Sequence, residues 1–132
     1  MSHRRILVAL DGSARAEEVL RAVPAVMSES AELVLLRVGP DERAAGEYLQ
    51  TLVGRMLMWN AQPGQVREVV ADGPPARCIL EAADRFGCDL IAMTTHGRSG
   101  AKRALMGSVT EAVVRQAEIP VLVAQQGGPK AP

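Results

Sequence analysis

The stretch RRILVALDGSARAEEVLRAV, residues 4–23, decides the fold. Its opening, RRILVAL (4–10), carries an unbroken apolar run closed by Asp11-Gly12. Such a run reads as a strand buried on both faces, as in parallel sheets. From Ser13 the period changes. Ala16, Val19, Leu20 and Val23 fall at helical spacing, with Glu17 and Glu18 early, where the helix dipole favours acids. Pro24 lies inside this pattern and removes one backbone hydrogen bond, which predicts a kink or an early end there.

The same alternation continues outward from that unit. AELVLLRV (31–38) is a second buried strand, closed by Gly39-Pro40. DERAAGEYLQTLVGRMLMWN (41–60) is a second helix, striped by Ala45, Leu49, Leu52, Val53, Met56 and Leu57. VREVVA (66–71) alternates more than the other strands and so sits nearer an edge. ARCILEAADRFG is a third helix, stopped by Gly87, and DLIAMT (89–94) a fourth strand. A fourth helix runs from Ser108 to about Ala117, and VLVA (121–124) is the fifth strand. Strands alternating with helices imply an α/β fold: an open five-stranded parallel sheet with helices on both faces and right-handed crossovers. Residues 1–126 read as one domain and 127–132 as a flexible tail.

Composition narrows the function. The chain of 132 residues is 48% hydrophobic but only 2% aromatic, so its core is aliphatic. So few aromatics argue against base-stacking surfaces and against a flavin site. Lys+Arg and Asp+Glu stand at 15 each, so no global field draws the protein to nucleic acid or to a membrane. Any anion site is local. Cys78 and Cys88 match no CxxC or Cys/His metal pattern and read as small buried thiols in a reducing compartment. The N-terminal apolar run is too short for a signal segment or a membrane span, which gives the expectation of a cytoplasmic protein.

In open parallel sheets, ligands bind at the carboxyl ends of the strands, where the strand order reverses. If the chain winds outward both ways from the first strand, in the order 3-2-1-4-5, then Asp11-Gly12 and the loop from Thr94 to Gly100 face one crevice. Asp11 could accept hydrogen bonds from ribose hydroxyls or an adenine edge; it could equally cap the first helix. The second loop continues as TTHGRSGAKRALMGSVTE (94–111). Gly97, Gly100 and Gly107 would let backbone N–H groups approach a ligand. Ser108 and Glu111 match a capping box, which puts Gly107 and Ser108 at the positive end of a helix. Arg98, Lys102 and Arg103 could add charge. The same residues also suit a solvated loop before an ordinary helix cap. His96 reads as a turn or rim residue, since nothing nearby marks it as a general base.

The whole chain resembles the universal stress protein family. The resemblance is carried by ILVALDGS (6–13), LLRV (35–38), DLIAMTTHGRSG (89–100) and GSVTEAVVRQAEIPVLV (107–123). Nucleotide-binding members carry Gly, two residues, Gly, nine residues, Gly, then Ser or Thr. Gly97, Gly107 and Ser108 match that spacing, whereas Thr94 stands where the first glycine is expected. The resemblance implies the order 3-2-1-4-5, with ATP in the switch-point crevice. It implies that Asp11 contacts the nucleoside and that the Val38 backbone reads the adenine edge. Gly97, Gly107, Ser108 and Val109 would hold the phosphates, with Arg98 beside them as one of the nucleotide-binding residues. Ala9, Leu10, Met93 and Thr94 would line the pocket, and any Mg2+ or Mn2+ would arrive on the phosphates. It also implies a homodimer through the last strand, 121–124, whose apolar edge carries no charge.

Two functions follow. One is an ATP-binding protein of stress response or regulation. The other keeps the fold without tight ATP binding, as a dimeric interaction module or a binder of another adenine nucleotide. No G-x-x-x-x-G-K-[ST] loop is present to set up hydrolysis. A phosphorylated receiver domain fits poorly, because Asp11 stands without a second acid and VLVAQQ lacks the required lysine.

Overall fold

The computed structural model describes residues 3–11, 14–58, 65–95 and 107–125. Five strands form one sheet: β1 (His3–Leu10), β2 (Met27–Val38), β3 (Gln65–Ala71), β4 (Leu90–Thr95) and β5 (Val121–Gln125). Their order is β3-β2-β1-β4-β5, and every pairing is parallel. This is the expected order, with β1 at the centre and β3 and β5 at the edges. The helices are α1 (Ala14–Glu17), α2 (Val19–Ala22), α3 (Glu42–Met58), α4 (Pro75–Arg85) and α5 (Ser108–Gln116).

The apolar run of β1 is unbroken because successive residues serve two cores. Ile6, Val8 and Leu10 pack on the side of α1, α2 and α3, with Val19, Leu20, Leu49 and Leu52. Leu7 faces the other way, toward α4 and α5, with Ile79, Ala83 and Val113. Side chains alternate across a strand, so a central strand covered on both faces needs no polar position. Cys78 and Cys88 are free and buried, as expected. Burial pushes the Cys88 thiol up to about 11.

Several boundaries moved. The first helix is two single turns, α1 and α2, followed by a 3-10 turn over Val23–Ala25. Pro24 sits in that turn, where it has no N–H to give the helical ladder, so the α geometry ends at Ala22. At Glu18 the chain already bonds at shorter range, Arg21 N–H to the Glu18 carbonyl at 3.1 Å. Strand β2 begins at Met27, not residue 31. Its polar start, Ser28-Glu29-Ser30, joins the sheet through a register shift, with His3 opposite Met27 and Arg5 opposite Glu32.

The amino edge of the sheet is held by ion pairs. Glu32 is buried and receives Arg5 Nε at 2.8 Å and Arg67 Nε at 3.5 Å, linking β1, β2 and β3. Helix α4 ends beside them. Gly87 has φ +66, with Cys88 N–H bonded to the Ala83 carbonyl at 2.9 Å and Gly87 N–H to Asp84 at 3.2 Å. That pairing is the left-handed glycine stop that ends many helices. A Cβ on Gly87 would also lie 3.3 Å from Arg5 Nη1, which donates to the Phe86 carbonyl at 3.0 Å. Gly87→Ala is therefore expected to cost about 1–2 kcal/mol, from the left-handed backbone penalty plus the displaced guanidinium. Urea unfolding of the variant checks it, and an unchanged midpoint would show that the stop bears no strain.

Candidate functional site

The carboxyl edge gathers the strand ends and the start of α5. Strand β1 ends at Leu10 with Asp11 after it, and β2 ends at Val38. Leu10 pairs with Arg37 and Val8 with Ala92, so Leu10 and Thr94 lie at similar height on the sheet. Helix α5 leads back to β5, whose strand runs parallel to β4, so its first turn lies at this same edge.

The residues expected at the site divide between the two faces. Ala9, Val38, Met93 and Val109 pack on the α4–α5 side. Leu10 packs on the α1–α3 side. Leu10 and Met93 are 4% and 5% exposed, so they lie within the core beneath the strand ends. Asp11 is exposed at the strand end. Thr94 is half-buried, and its hydroxyl donates to the Ala16 carbonyl of α1 at 3.2 Å. Its side chain is thus turned to the α1 side, opposite the face on which α5 packs. Gly97 and Arg98 lie outside the described residues, as do Gly12, Ser13, His96, Gly100, Lys102, Arg103 and the tail 127–132.

The start of α5 corrects the capping-box expectation. The N-cap is Gly107, with φ −64 and ψ 165, and no side chain caps the helix. Ser108 is the first helical residue, one place too late for its hydroxyl to reach back over the first turn. Glu111 cannot act as the reciprocal partner either: its N–H bonds the Gly107 carbonyl at 2.9 Å and its carboxylate pairs with Arg115 at 3.1 Å. The N–H groups of Ser108, Val109 and Thr110 are left without intrahelical acceptors. Such donors at a helix start, with the positive end of the dipole, suit an anion.

A polar cluster beside Asp11 escaped the sequence reading. Glu17 receives the Tyr48 hydroxyl at 2.6 Å and Arg55 Nη2 at 2.5 Å. Burial, then the bond to Glu17, then the charges of Glu17 and Asp11 push the Tyr48 phenol well above its ordinary pKa, so it remains a neutral donor. The Arg37 guanidinium lies 5.9 Å from the centre of the Tyr48 ring. Arg37 Nη1 also donates to the Val38 carbonyl at 2.5 Å. The only signal in the sequence was that Tyr48, Leu52 and Arg55 share one face of α3. Among the described residues, no three His, Cys, Asp or Glu side chains gather as a metal site, and no helix is long and apolar enough to cross a membrane.

The comparisons bear on the family and the fold. A sequence model described as the universal stress protein family matches residues 41–125. Universal stress protein MJ0577 of Methanocaldococcus jannaschii is 37% identical over 62 residues, 47% of this chain and 38% of that one. Its solved structure has a TM-score of 0.69 at 30% identity and covers 98% of this chain and 100% of its own. Universal stress protein YxiE of Bacillus subtilis is 29% identical over 143 residues, 90% of this chain and 97% of that one. A universal stress protein solved in complex with cAMP has a TM-score of 0.76 at 21% identity, covering 96% of this chain and 100% of that one, and shares the fold. With more than half of its length matched by the family and its sheet in the expected order, this chain belongs to the universal stress protein family.

Proposed function

We propose that this protein binds ATP across the carboxyl edge of its sheet and acts in stress response as a homodimer joined through β5. The observation that carries the reading is the meeting of three features at one edge. These are the Asp11 carboxylate after β1, the Val38 backbone at the end of β2, and the uncapped donors of α5 behind Gly107. The nucleoside would lie against the first two and the phosphates against the third. Any divalent ion would come with the phosphates. Thr94, standing at the departed glycine position, turns its side chain toward Ala16, so its branched Cβ does not project toward α5 and the phosphates proposed there. The cAMP seen in a fold neighbour belongs to that protein; support for ATP here rests on this chain's own residues.

The test is direct. Purified protein is denatured, and the small molecules released are examined by mass spectrometry, alongside calorimetry with added ATP. Nucleotide in the supernatant, or a saturable heat, supports the reading. Neither result leaves the second function: the same fold as an interaction module, or a binder of another adenine nucleotide. One observation favours the interaction module over any adenine nucleotide, since the Val38 carbonyl already carries the Arg37 guanidinium.

The dimer has its own check. β5 is an edge strand, and Val121, Leu122, Val123 and Ala124 are half-buried with no charge among them. Exposed edges of this kind pair or aggregate. Val123→Lys is expected to convert a dimer to a species of 14.0 kDa in sedimentation, with unchanged circular dichroism. A wild-type protein that already sediments as a monomer would remove the dimer from the proposal.

A further inference from the structure

We propose that Arg37 is a specificity-determining residue of this site, because it stands on the acceptor that a purine edge would use. The inference rests on the nucleotide reading above and deepens it. Gly39 N–H donates to the Ala71 carbonyl on β3 at 2.8 Å. A trans peptide points its N–H and C=O in opposite directions, so the Val38 carbonyl points away from β3, toward the end of β1. The last β1–β2 pair is Leu10 with Arg37, so no further residue of the β1 strand pairs beyond it. The carbonyl therefore opens on the crevice, and the Arg37 guanidinium fills the gap from its own strand.

Its position is supported. The Tyr48 ring lies beside the guanidinium, and that ring is fixed by the bond from its hydroxyl to Glu17. Among the described residues, no carboxylate forms an ion pair with Arg37. The consequence is a change of sign at the base edge. A free Val38 carbonyl is an acceptor and suits the 6-amino group of adenine. With Arg37 on it, the edge presents the remaining N–H donors of a guanidinium fork. Those donors suit O6 and N7 of a 6-oxopurine, the pairing arginine makes with guanine. Adenine must displace the fork, whereas a 6-oxopurine uses it.

The experiment measures dissociation constants of ATP, ITP and GTP by calorimetry for the wild type, Arg37→Met and Arg37→Lys, with melting curves to confirm folding. Arg37→Met is expected to tighten ATP and weaken ITP, moving their ratio toward ATP by roughly ten-fold or more, the scale of one bidentate contact. GTP follows ITP. Arg37→Lys keeps the charge and loses the fork, so it moves the ratio in the same direction. A ratio unchanged within about two-fold in Arg37→Met, or one held at the wild-type value by lysine, overturns the role of the fork while leaving the nucleotide reading intact. If none of the three nucleotides binds any of the three proteins, the nucleotide reading falls and this inference with it.

Discussion

Gly107→Val is expected to lower ATP affinity on the order of 100-fold while leaving the protein folded. Gly107 precedes α5, and the donors of Ser108, Val109 and Thr110 lie just behind it. Charge-assisted bonds from backbone N–H groups to phosphate contribute about 1.5–3 kcal/mol each, and each 1.4 kcal/mol is a factor of ten. A branched side chain at the mouth of this helix stands where the anion must approach, so losing two such bonds accounts for the magnitude. The backbone itself tolerates valine, because φ −64 and ψ 165 lie in the extended region open to all residues. Valine is a poorer N-cap than glycine, and that costs about 1 kcal/mol or less. Calorimetry with ATP and a thermal melt separate the two effects. Affinity that survives the substitution would place the phosphates elsewhere.

Leu7→Ala is expected to cost about 3 kcal/mol, within the roughly 2–5 kcal/mol typical of buried leucine truncations. Leu7 is fully buried and flanked in the sheet by Val34 on β2 and Ile91 on β4. With strands on both sides and α4 and α5 above, the site has little freedom to collapse, so most of the cavity persists. Against a typical stability of about 5–15 kcal/mol this is a large fraction. Urea unfolding should show a lower midpoint with an unchanged slope. Val114, 41% exposed on α5, is the matched contrast: its truncation should move stability by no more than about 0.5 kcal/mol. A Leu7→Ala cost as small as that of Val114→Ala would mean that the α4–α5 face is not packed as described.

The sheet was legible because its central strand advertises itself. Ile6 through Leu10 admit no polar residue, and a run that short, closed by Asp11-Gly12, fits a strand covered on both faces better than a helix. Edge character in VREVVA was legible for the opposite reason, since alternation marks a less covered strand. The start of β2 was not, because Ser28-Glu29-Ser30 looks like a turn, and it is Met27 before it that pairs with His3 of β1 across a register shift. The α5 cap was misread because two residue types at the right spacing do not reveal which of them the helix takes as its first turn. Glycine spacing singled out Gly107 as a candidate, but nothing in the sequence singled out Arg37. Its partners are a neighbouring carbonyl and a tyrosine on another element, and no periodicity records either. Glu17 likewise meets Tyr48 across 31 residues and Arg55 across 38.

The central place of β1 also governs how the chain folds. Its β2 partner is close behind it in sequence, but β4 is not: Asp89 at the entry to β4 bonds back to Arg5 across 84 residues. Contacts of such high order must be closed against chain entropy before they stabilise anything, which slows folding. During synthesis β1 emerges first and stays half-paired until β4 has followed. Over that interval one flank of the central strand offers bare peptide groups, and the nascent chain depends on covering it before another chain does.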